Sequence, residues 1–390
     1  MRAVRPAWLA LLAGPLSFGI TGPALVLPEV AHDLGVSRVS ATALVTAFGW
    51  GIAVGTPVAG VLQTRRGVRA ALRTHVLLVV AGALLVLGIP RLPVLVAGMA
   101  LMALGAAGMT VAALSLTRSA RAMGLVTASL AVFGAAAPLV GTAVTAALSW
   151  QAALVMPLLS LPAVPAVLRS TAAVSWPPDA QRFDSRGAFL FVAALTALVL
   201  VPRFPLWAGG AAAVLAVVLS RHVRRLPGGF VPAAVLGSRR FSAAAGLAFA
   251  LAVVNFGIVY AAPDLLATQT GWSPAELGVA LLIPYVTGGA VSAALVAASV
   301  RLRWPLLTGS LAAGAAAALL SITCGGSATP LLFAGMLLGS LAASTGQGAL
   351  GHRAAAAVPL SARATALGLF SVCFLLGAAF GPAIATTTTS

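Results

Sequence analysis

Long apolar segments separated by short arginine clusters constrain this chain more than any other feature of its sequence. Several segments run for about 20 residues, the length that an α-helix needs to cross a hydrocarbon core of about 30 Å. Only helices and closed barrels satisfy the backbone polar groups in that core, and these segments lack the alternation typical of barrel strands. We therefore expect an all-α membrane protein with about thirteen transmembrane helices.

Composition excludes several other classes of protein. The chain has 390 residues, of which 61% are hydrophobic and only 7% charged, against roughly 25% charged in a soluble domain. All 23 basic residues are arginine, and six acids leave a net charge of +17. The arginines lie between apolar runs rather than on a wet face, so we expect a lipid bilayer and not nucleic acid as the partner.

Enzyme and pump functions find little support in the sequence. Six scattered acids do not supply the carboxylate clusters that a metal-dependent membrane enzyme needs, and two cysteines are too few for a thiolate metal site. The chain has no lysine, so it has no phosphate-binding loop of the kind that ends in Gly-Lys. We expect no enzyme activity, no metal and no cofactor.

Thirteen apolar segments group into two bundles joined by a central region. We assign residues 1–168 to an amino-terminal six-helix bundle, 169–240 to a cytoplasmic linker with a two-helix hairpin, and 241–390 to a carboxy-terminal bundle of five helices. The predicted segments are Ala7–Pro28, Ala41–Leu62, Thr74–Ile89, Pro93–Ser115, Met123–Leu148, Gln151–Leu168, Gly187–Val201, Pro205–Ser220, Phe241–Pro263, Leu277–Val300, Pro305–Thr323, Pro330–Leu350 and Ala364–Ile384.

The distribution of arginine predicts the orientation of these segments. With the amino terminus in the cytoplasm, 20 of the 23 arginines fall in inner loops, and only Arg38, Arg91 and Arg203 fall outside. Positive charge is retained on the cytoplasmic side of membrane proteins. We therefore expect a multi-pass protein of the cell membrane with a cytoplasmic amino terminus.

The loop between the second and third segments contains Gly60, Thr64, Arg65, Gly67 and Arg69. This pattern resembles the signature loop of the major facilitator superfamily, Gly-x-x-x-Asp-Arg-x-Gly followed by basic residues, with Thr64 at the acidic position. A glycine permits a tight turn, and arginines pair with nearby helix ends. An ordinary positively charged inner loop is the alternative. The resemblance implies two bundles that bind a small-molecule substrate.

The fifth segment resembles the antiporter motif of drug exporters in the same superfamily. In the motif Gly-x-x-x-Gly-Pro-x-x-Gly-Gly, Gly134, Pro138 and Gly141 match, while Ala137 and Thr142 replace two glycines. Small residues allow close helix contact, and proline bends a helix. The resemblance implies export; a bent packing helix without directional meaning is the alternative.

The stretches PALVLPEVAHDLGVS, FDSRGAFLFVAALTALVL and APDLLATQTGWSPAELGVALLIP resemble the drug:proton antiporters with fourteen spanning helices. The likeness extends over nearly the whole chain, with three departures. The acid of the first helix falls on Gly19, the arginine of the fourth helix falls on Leu101, and no fourteenth helix follows the thirteenth.

Ionisable residues are scarce inside the predicted segments, and an intramembrane charge is functional by default. The four histidines, His75 among them, are predicted to lie in loops or at helix ends. Asp264 follows Pro263 at the outer end of the ninth segment, with Asn255 and Tyr260 below it. We interpret Asp264 as a candidate for carrying a proton or attracting a cationic substrate, against solvation in a loop.

The leading interpretation is a secondary transporter, a monomer, that exports small lipophilic or antibiotic-like compounds by alternating access, with protons as a candidate coupling ion. The alternatives are an importer or uncoupled facilitator, and a transporter-like sensor that does not transport. Trp50 has two interpretations, packing or lining a cavity. The candidate cavity residues are Thr21, Trp50, Asn255, Tyr285 and Gln347.

Overall fold

The computed structural model describes residues 4–171, 184–201, 204–272, 274–324 and 328–388, and every element within these ranges is helical. The α-helices are α1 Pro6–Ala13, α2 Phe18–Thr21, α3 Pro23–Asp33, α4 Arg38–Ala41, α5 Ala43–Gly88, α6 Leu92–Ser115, α7 Ala120–Ala147, α8 Trp150–Leu154, α9 Val164–Thr171, α10 Ser185–Leu200, α11 Pro205–Arg225, α12 Ala233–Leu236, α13 Arg239–Thr270, α14 Pro274–Ser299, α15 Trp304–Cys324, α16 Thr329–Ala356 and α17 Arg363–Thr388. Three 3₁₀ segments, Gly14–Ser17, Met156–Ala163 and Leu360–Ala362, link them.

The second and third predicted segments form one long helical element, α5. Its 46 residues run through the predicted loop, and the backbone leaves helical geometry only at Gly67, with φ 77° and ψ 156°. Because this φ lies in the region that favours glycine, Gly67 divides α5 into a first arm, residues 43–66, and a second arm, residues 68–88. The second arm packs along α6 through Gly82, Gly98 and Gly105, which bring the two backbones together.

The first and sixth predicted segments are broken. The first consists of α1, a 3₁₀ turn, α2 and α3, with a bend of 61° between Pro6–Thr21 and Val26–Asp33. The prediction of one continuous sixth segment was wrong, because α8, Met156–Ala163 and α9 follow one another there. Prolines at 157, 162 and 165 each remove a backbone N–H, which prevents an uninterrupted α-helix.

The central region contributes the hairpin of α10 and α11. Helix α10 packs on α5 and α17 through an apolar cluster that includes Leu195, Val54 and Val372. Helix α11 leaves Leu206, Trp207 and other large apolar side chains exposed, as expected of a surface that faces lipid. The predicted linker falls largely on residues 172–183, outside the described residues.

The carboxy-terminal half is built around α13, α16 and α17. Helix α13 continues through Pro263 to Thr270, so Asp264 lies within a helix rather than after it. Helices α14 and α15 pack on α16, and α13 contacts both α16 and α17.

The all-α membrane architecture expected from the sequence is confirmed. Among the described residues, eight helices are long and apolar enough to cross a membrane, and the bent first segment raises this to nine. The short helices α10 and the stretch Arg363–Gly377 of α17 are apolar as well. The protein is therefore a multi-pass membrane protein, while the count of thirteen crossings stays a prediction.

Candidate functional site

The first arm of α5 and the helix α17 join the two halves of the protein through glycines. A Cβ atom on Gly60 would lie 2.8 Å from the carbonyl oxygen of Ala364, and one on Gly368 would lie 2.9 Å from that of Thr56. The atoms that face Gly60 and Gly368 belong to the backbone, so a change of side-chain rotamer could not accommodate a larger residue at either position. The predicted motif glycine Gly60 therefore serves close approach between halves, and Gly67 makes the turn.

The helices α7 and α14 form a second contact between the halves. A Cβ on Gly124 would lie 2.8 Å from the carbonyl oxygen of Ala293, and one on Gly289 would lie 2.9 Å from the Cβ of Ala131. Small residues let membrane helices approach closely enough for extensive van der Waals packing. The two halves thus meet along two helix pairs that both depend on glycine.

One end of the bundle gathers the basic loops, and we call it the arginine-rich end. It comprises the bend of α5 at Gly67, residues 116–119 before α7, the end of α16 and the start of α17, which all contribute to one cavity or its rim. Arg65 and Arg69 lie beside the bend. The Thr64 hydroxyl, at the position where the superfamily signature has an acid, donates to the carbonyls of Gly60 and Val61 on its own helix.

Pro138, inside α7, brings two of the candidate residues, Thr21 and Gly134, into contact. Pro138 has no N–H, so the carbonyl of Gly134, four residues earlier, loses its helical donor. The Thr21 hydroxyl, at the end of α2, donates to that carbonyl over 2.7 Å. Thr21 was predicted to line a substrate cavity; in the structure its hydroxyl completes the backbone of a neighbouring helix.

Gly134 and Gly141 face the first span. A Cβ on Gly134 would lie 3.5 Å from the Cβ of Ser17, and one on Gly141 would lie 3.5 Å from the carbonyl oxygen of Gly22. Both distances are ordinary van der Waals contacts, so alanine fits at either position while a longer side chain meets α2 and α3.

Trp50 contacts the central hairpin. Its indole Nε1 donates to the Thr196 hydroxyl on α10 over 3.1 Å, and its ring packs against the apolar cluster that contains Val54 and Leu195. An indole N–H within apolar surroundings needs such a partner. These contacts attach the first arm of α5 to α10.

Asn255 on α13 and Tyr285 on α14 each lie beside one of two adjacent residues of α16, Gly339 and Ser340, in the carboxy-terminal half. The Oδ1 of Asn255 would lie 3.7 Å from a Cβ on Gly339, and the Tyr285 carbonyl accepts the hydroxyl of Ser340 over 3.2 Å. Within the described part of the chain, neither Asn255 Oδ1 nor the Tyr285 hydroxyl has a hydrogen-bond partner, although both are buried. A buried polar atom without a hydrogen bond destabilises the folded protein, and a bound solute is one partner that could form that bond.

The other candidate residues lie on α16 and α13. Gln347 is half-buried on α16, seven residues after Ser340 and therefore on the same helix face. Thr345, which was not among the predicted residues, is buried, and its hydroxyl has no hydrogen-bond partner within the described residues. Tyr260 and Asp264 lie on α13, and their side chains are outside the described part of the structure.

A cavity of about 430 Å³ lies between the halves at the arginine-rich end. It is lined by Gln63, Thr64, Val68, Leu114, Ser115, Leu116, Thr117, Arg118, Met123, His352, Ala355, Leu360, Arg363, Ala364 and Leu367. Gln63, only 2% exposed, holds its wall: its amide reaches the Gly108 carbonyl at 3.4 Å and accepts the Ser115 hydroxyl at 3.0 Å. None of the candidate cavity residues lines it.

His75 is deeply buried, which corrects its predicted place at a helix end. Its exposure is 3%, and the ring lies directly against Gly108 of α6. Neither ring nitrogen has a hydrogen-bond partner among the described residues. The sequence hid this burial because Arg73 and Thr74 precede it, whereas the helix in fact begins at residue 68.

Asp184 organises the base of the central hairpin. It begins α10 by accepting the N–H of Gly187 at 2.8 Å, and it also accepts the N–H of Phe230 at 3.0 Å and pairs with the Nε2 of His222 at 2.9 Å. Burial alone raises the pKa of this carboxyl, but the hydrogen bonds from Phe230, Gly187 and His222 outweigh it and hold the pKa below its ordinary value. The contact ties both hairpin helices to the segment that leads into α13.

Comparisons with known proteins agree with this architecture. A sequence profile described as Major Facilitator Superfamily matches residues 7–254. No curated protein matches the chain. The human organic anion transporter MFSD10 (TETRAN) has a similar structure, with a TM-score of 0.66 at 16% identity over 98% of this chain and 92% of that one.

The proton:xylose symporter XylE, bound to 6-bromo-6-deoxy-D-glucose, is also similar, with a TM-score of 0.62 at 17% identity over 97% of this chain and 87% of that one. At these identities the likeness concerns the fold alone. The profile match spans more than half of the chain and agrees with the motif loop, the two halves and their glycine contacts. The chain belongs to the Major Facilitator Superfamily, a family of membrane transporters.

Proposed function

We propose that this protein is a secondary transporter that exports small lipophilic or antibiotic-like compounds by alternating access. The observation that carries the proposal is the pair of glycine contacts between the halves, α5 with α17 and α7 with α14. Two bundles that meet mainly at these helix pairs can rock against each other, opening a central site to one side and then to the other.

The unpartnered polar groups of the carboxy-terminal half fit a small organic solute. Asn255 and Tyr285 offer an amide oxygen and a hydroxyl that have no partner within the described residues, in a setting that is otherwise apolar. A binding site with few polar groups selects a largely apolar molecule, because each polar group of the solute must find a partner on desolvation. The structural neighbours, named as an organic anion transporter and a xylose symporter, both act on small organic solutes.

The direction of transport rests on α7 and on charge. Pro138 inside α7, the nearby glycines and the Thr21 contact fit the resemblance to the antiporter motif of drug exporters. We propose that the arginine-rich end faces the cytoplasm of a cell whose plasma membrane holds the protein as a monomer, because arginine is retained on that side. The close contacts at that end then correspond to a conformation open to the outside.

A specific observation favours an uncoupled facilitator as the second candidate. Gly19 occupies the place of the acid that the resembling antiporters carry in the first helix, and a Cβ there would overlap the ring of Phe48. Position 19 therefore has no room for a carboxylate that could carry a proton. Coupling of transport to protons would therefore need a titratable group elsewhere, and we propose Asp264 on α13 for this role.

A drug-accumulation assay tests the transport proposal. Cells that lack their own efflux pumps and express the protein should retain less of a lipophilic fluorescent dye than cells with an empty vector. Gly60→Val should abolish this difference, because its side chain meets the backbone of α17. Gly49→Val is the matched control on the same helix, since a Cβ there meets nothing within 4 Å.

Equal dye retention with and without the protein, at confirmed membrane expression, contradicts export and favours the sensor. Activity of Gly60→Val equal to that of Gly49→Val contradicts the role of the α5–α17 contact.

Coupling is tested separately in inverted vesicles with an imposed proton gradient. Coupled export predicts dye uptake that rises with the gradient and loses this dependence in Asp264→Asn. Uptake that ignores the gradient in the unmodified protein favours the facilitator, and gradient-driven uptake that survives Asp264→Asn places coupling elsewhere.

A further inference from the structure

We propose that the cavity at the arginine-rich end binds an amphipathic organic anion that holds the two halves together. The first support is its position. Val68 and Met123 from the first half and Ala364 and Leu367 from the second line the same space of about 430 Å³. This volume lies within the range of about 300–1,000 Å³ typical of small-molecule sites.

The second support is charge. Arg118, in the loop before α7, and Arg363, at the start of α17, both line the cavity, together with the titratable His352. Of the described residues that line it, none is acidic. Two like charges from opposite halves repel each other unless an anion lies between them, so a ligand of negative charge fits this mouth.

The third support is the free hydrogen-bonding capacity of the two arginines. The Nε of Arg363 donates to the Ala355 carbonyl at 3.2 Å, and its two terminal nitrogens have no hydrogen-bond partner within the described residues. Arg118 has no partner in the same part of the chain. The adjacent Arg353 differs, because its guanidinium already donates to the carbonyls of Ser299 and Leu302. Guanidinium groups bind carboxylate, sulfonate and phosphate oxygens through paired hydrogen bonds.

The shape of the cavity specifies the rest of the ligand. Leu114, Met123 and Leu367 are almost fully buried and form an apolar interior, whereas both arginines are exposed and stand at the mouth. The side chains of Gln63 and Ser115 in the cavity wall form hydrogen bonds with each other and with the backbone, so few of their polar groups are available to a ligand. The site therefore suits an anionic head group on an apolar body, supplied by a free organic anion or by an anionic lipid.

A ligand that touches Arg118 and Arg363 bridges the halves. It binds only while they are close at the arginine-rich end, so it shifts the population toward that conformation by mass action. This role is regulatory and does not depend on which solute the central site transports.

The test uses the full-length protein in nanodiscs of zwitterionic phosphatidylcholine, with naphthalene-1-sulfonate as the anionic probe and the neutral naphthalene-1-sulfonamide as its isostere. We expect the sulfonate to bind and to raise the apparent Tm, and the sulfonamide to do neither. Arg118→Gln and Arg363→Gln should each weaken binding about fivefold, as expected for exposed charge pairs. Arg91→Gln, at the opposite end, is the matched control and should bind like the unmodified protein.

Anionic phosphatidylglycerol in the nanodisc distinguishes the sources of the ligand. Competition with the sulfonate assigns the site to a lipid head group, and lack of competition assigns it to a free anion. Equal binding of sulfonate and sulfonamide overturns the proposal, as does binding that Arg118→Gln and Arg363→Gln leave unchanged while their unliganded Tm matches that of Arg91→Gln.

Discussion

Replacing Thr21 with valine tests whether its hydroxyl completes the helix that Pro138 interrupts. The hydroxyl donates to the Gly134 carbonyl over 2.7 Å, and that carbonyl has no helical donor because residue 138 is proline. Valine keeps the shape and the branching of threonine but removes the donor. The carbonyl is then left without a hydrogen bond at a partly buried position.

The expected cost is about 1 kcal/mol. Leaving a buried polar atom unsatisfied costs about 1–3 kcal/mol in soluble proteins, while hydrogen bonds between membrane helices average about 0.6 and reach about 1.7 kcal/mol. For a chain of this length we expect a fall in apparent Tm of about 1–2 °C, below the range measured for smaller domains. Thr21→Ser keeps the donor and should lose little.

A double-mutant cycle with Pro138→Ala isolates the interaction. Alanine restores an N–H that can donate to the Gly134 carbonyl, so Thr21→Val should cost almost nothing in that background. Thr142→Val is the matched control, because the exposed Thr142 bonds only the carbonyl of Leu139 on its own helix. The measurement is thermal unfolding of purified protein in one detergent. An equal cost of Thr21→Val in the proline and alanine backgrounds refutes the reasoning.

Four further predictions follow from other sites. Gly141→Ala should retain dye export, whereas Gly141→Leu should lose it without losing membrane insertion, because only the leucine side chain is long enough to meet Gly22 and α3. Equal dye export by the two variants at equal expression contradicts this contact. The lowered pKa of Asp184 stabilises the fold above the carboxyl's unfolded pKa, and this stability is lost as the pH falls below about 4. Asp184→Asn should therefore flatten the acid side of a Tm-against-pH profile, and an unchanged profile excludes the contact. His75→Leu should keep or raise the apparent Tm, because both ring nitrogens lack partners within the described residues; a fall of several degrees would show that the imidazole has one. A reporter active only in the cytoplasm, fused after Ser390, should stay silent if thirteen helices cross, and a signal there contradicts that count.

The architecture was predictable because lipid leaves the backbone few alternatives. Apolar segments of spanning length must be helical, so the pattern alone indicated most of the long helices, including α6, α7 and α16. The breaks were harder to predict, because α7 continues through Pro138 as one helix, whereas the prolines at 157, 162 and 165 divide the sixth segment. Sequence spacing does not show which freed carbonyls find another donor.

The candidate site was predictable only in part, since its contacts join distant segments. Gly60 was singled out as a motif residue, but its contact is Ala364, about 300 residues later, and the turn is made by Gly67. Thr21 and Gly134 were singled out separately, and their hydrogen bond spans 113 positions. The cavity between Arg118 and Arg363 was missed entirely, because each arginine looks like an ordinary residue of a basic loop.

Transport by the purified protein tests the central proposal most directly. Proteoliposomes that contain the protein and a lipophilic fluorescent compound should exchange that compound with an external unlabelled pool faster than protein-free liposomes. Gly368→Leu, which separates α17 from Thr56, should reduce exchange to the protein-free rate, whereas Gly246→Leu, at a position where a Cβ meets nothing within 4 Å, should not. Exchange at the protein-free rate by the unmodified, folded protein would contradict a transporter of lipophilic compounds.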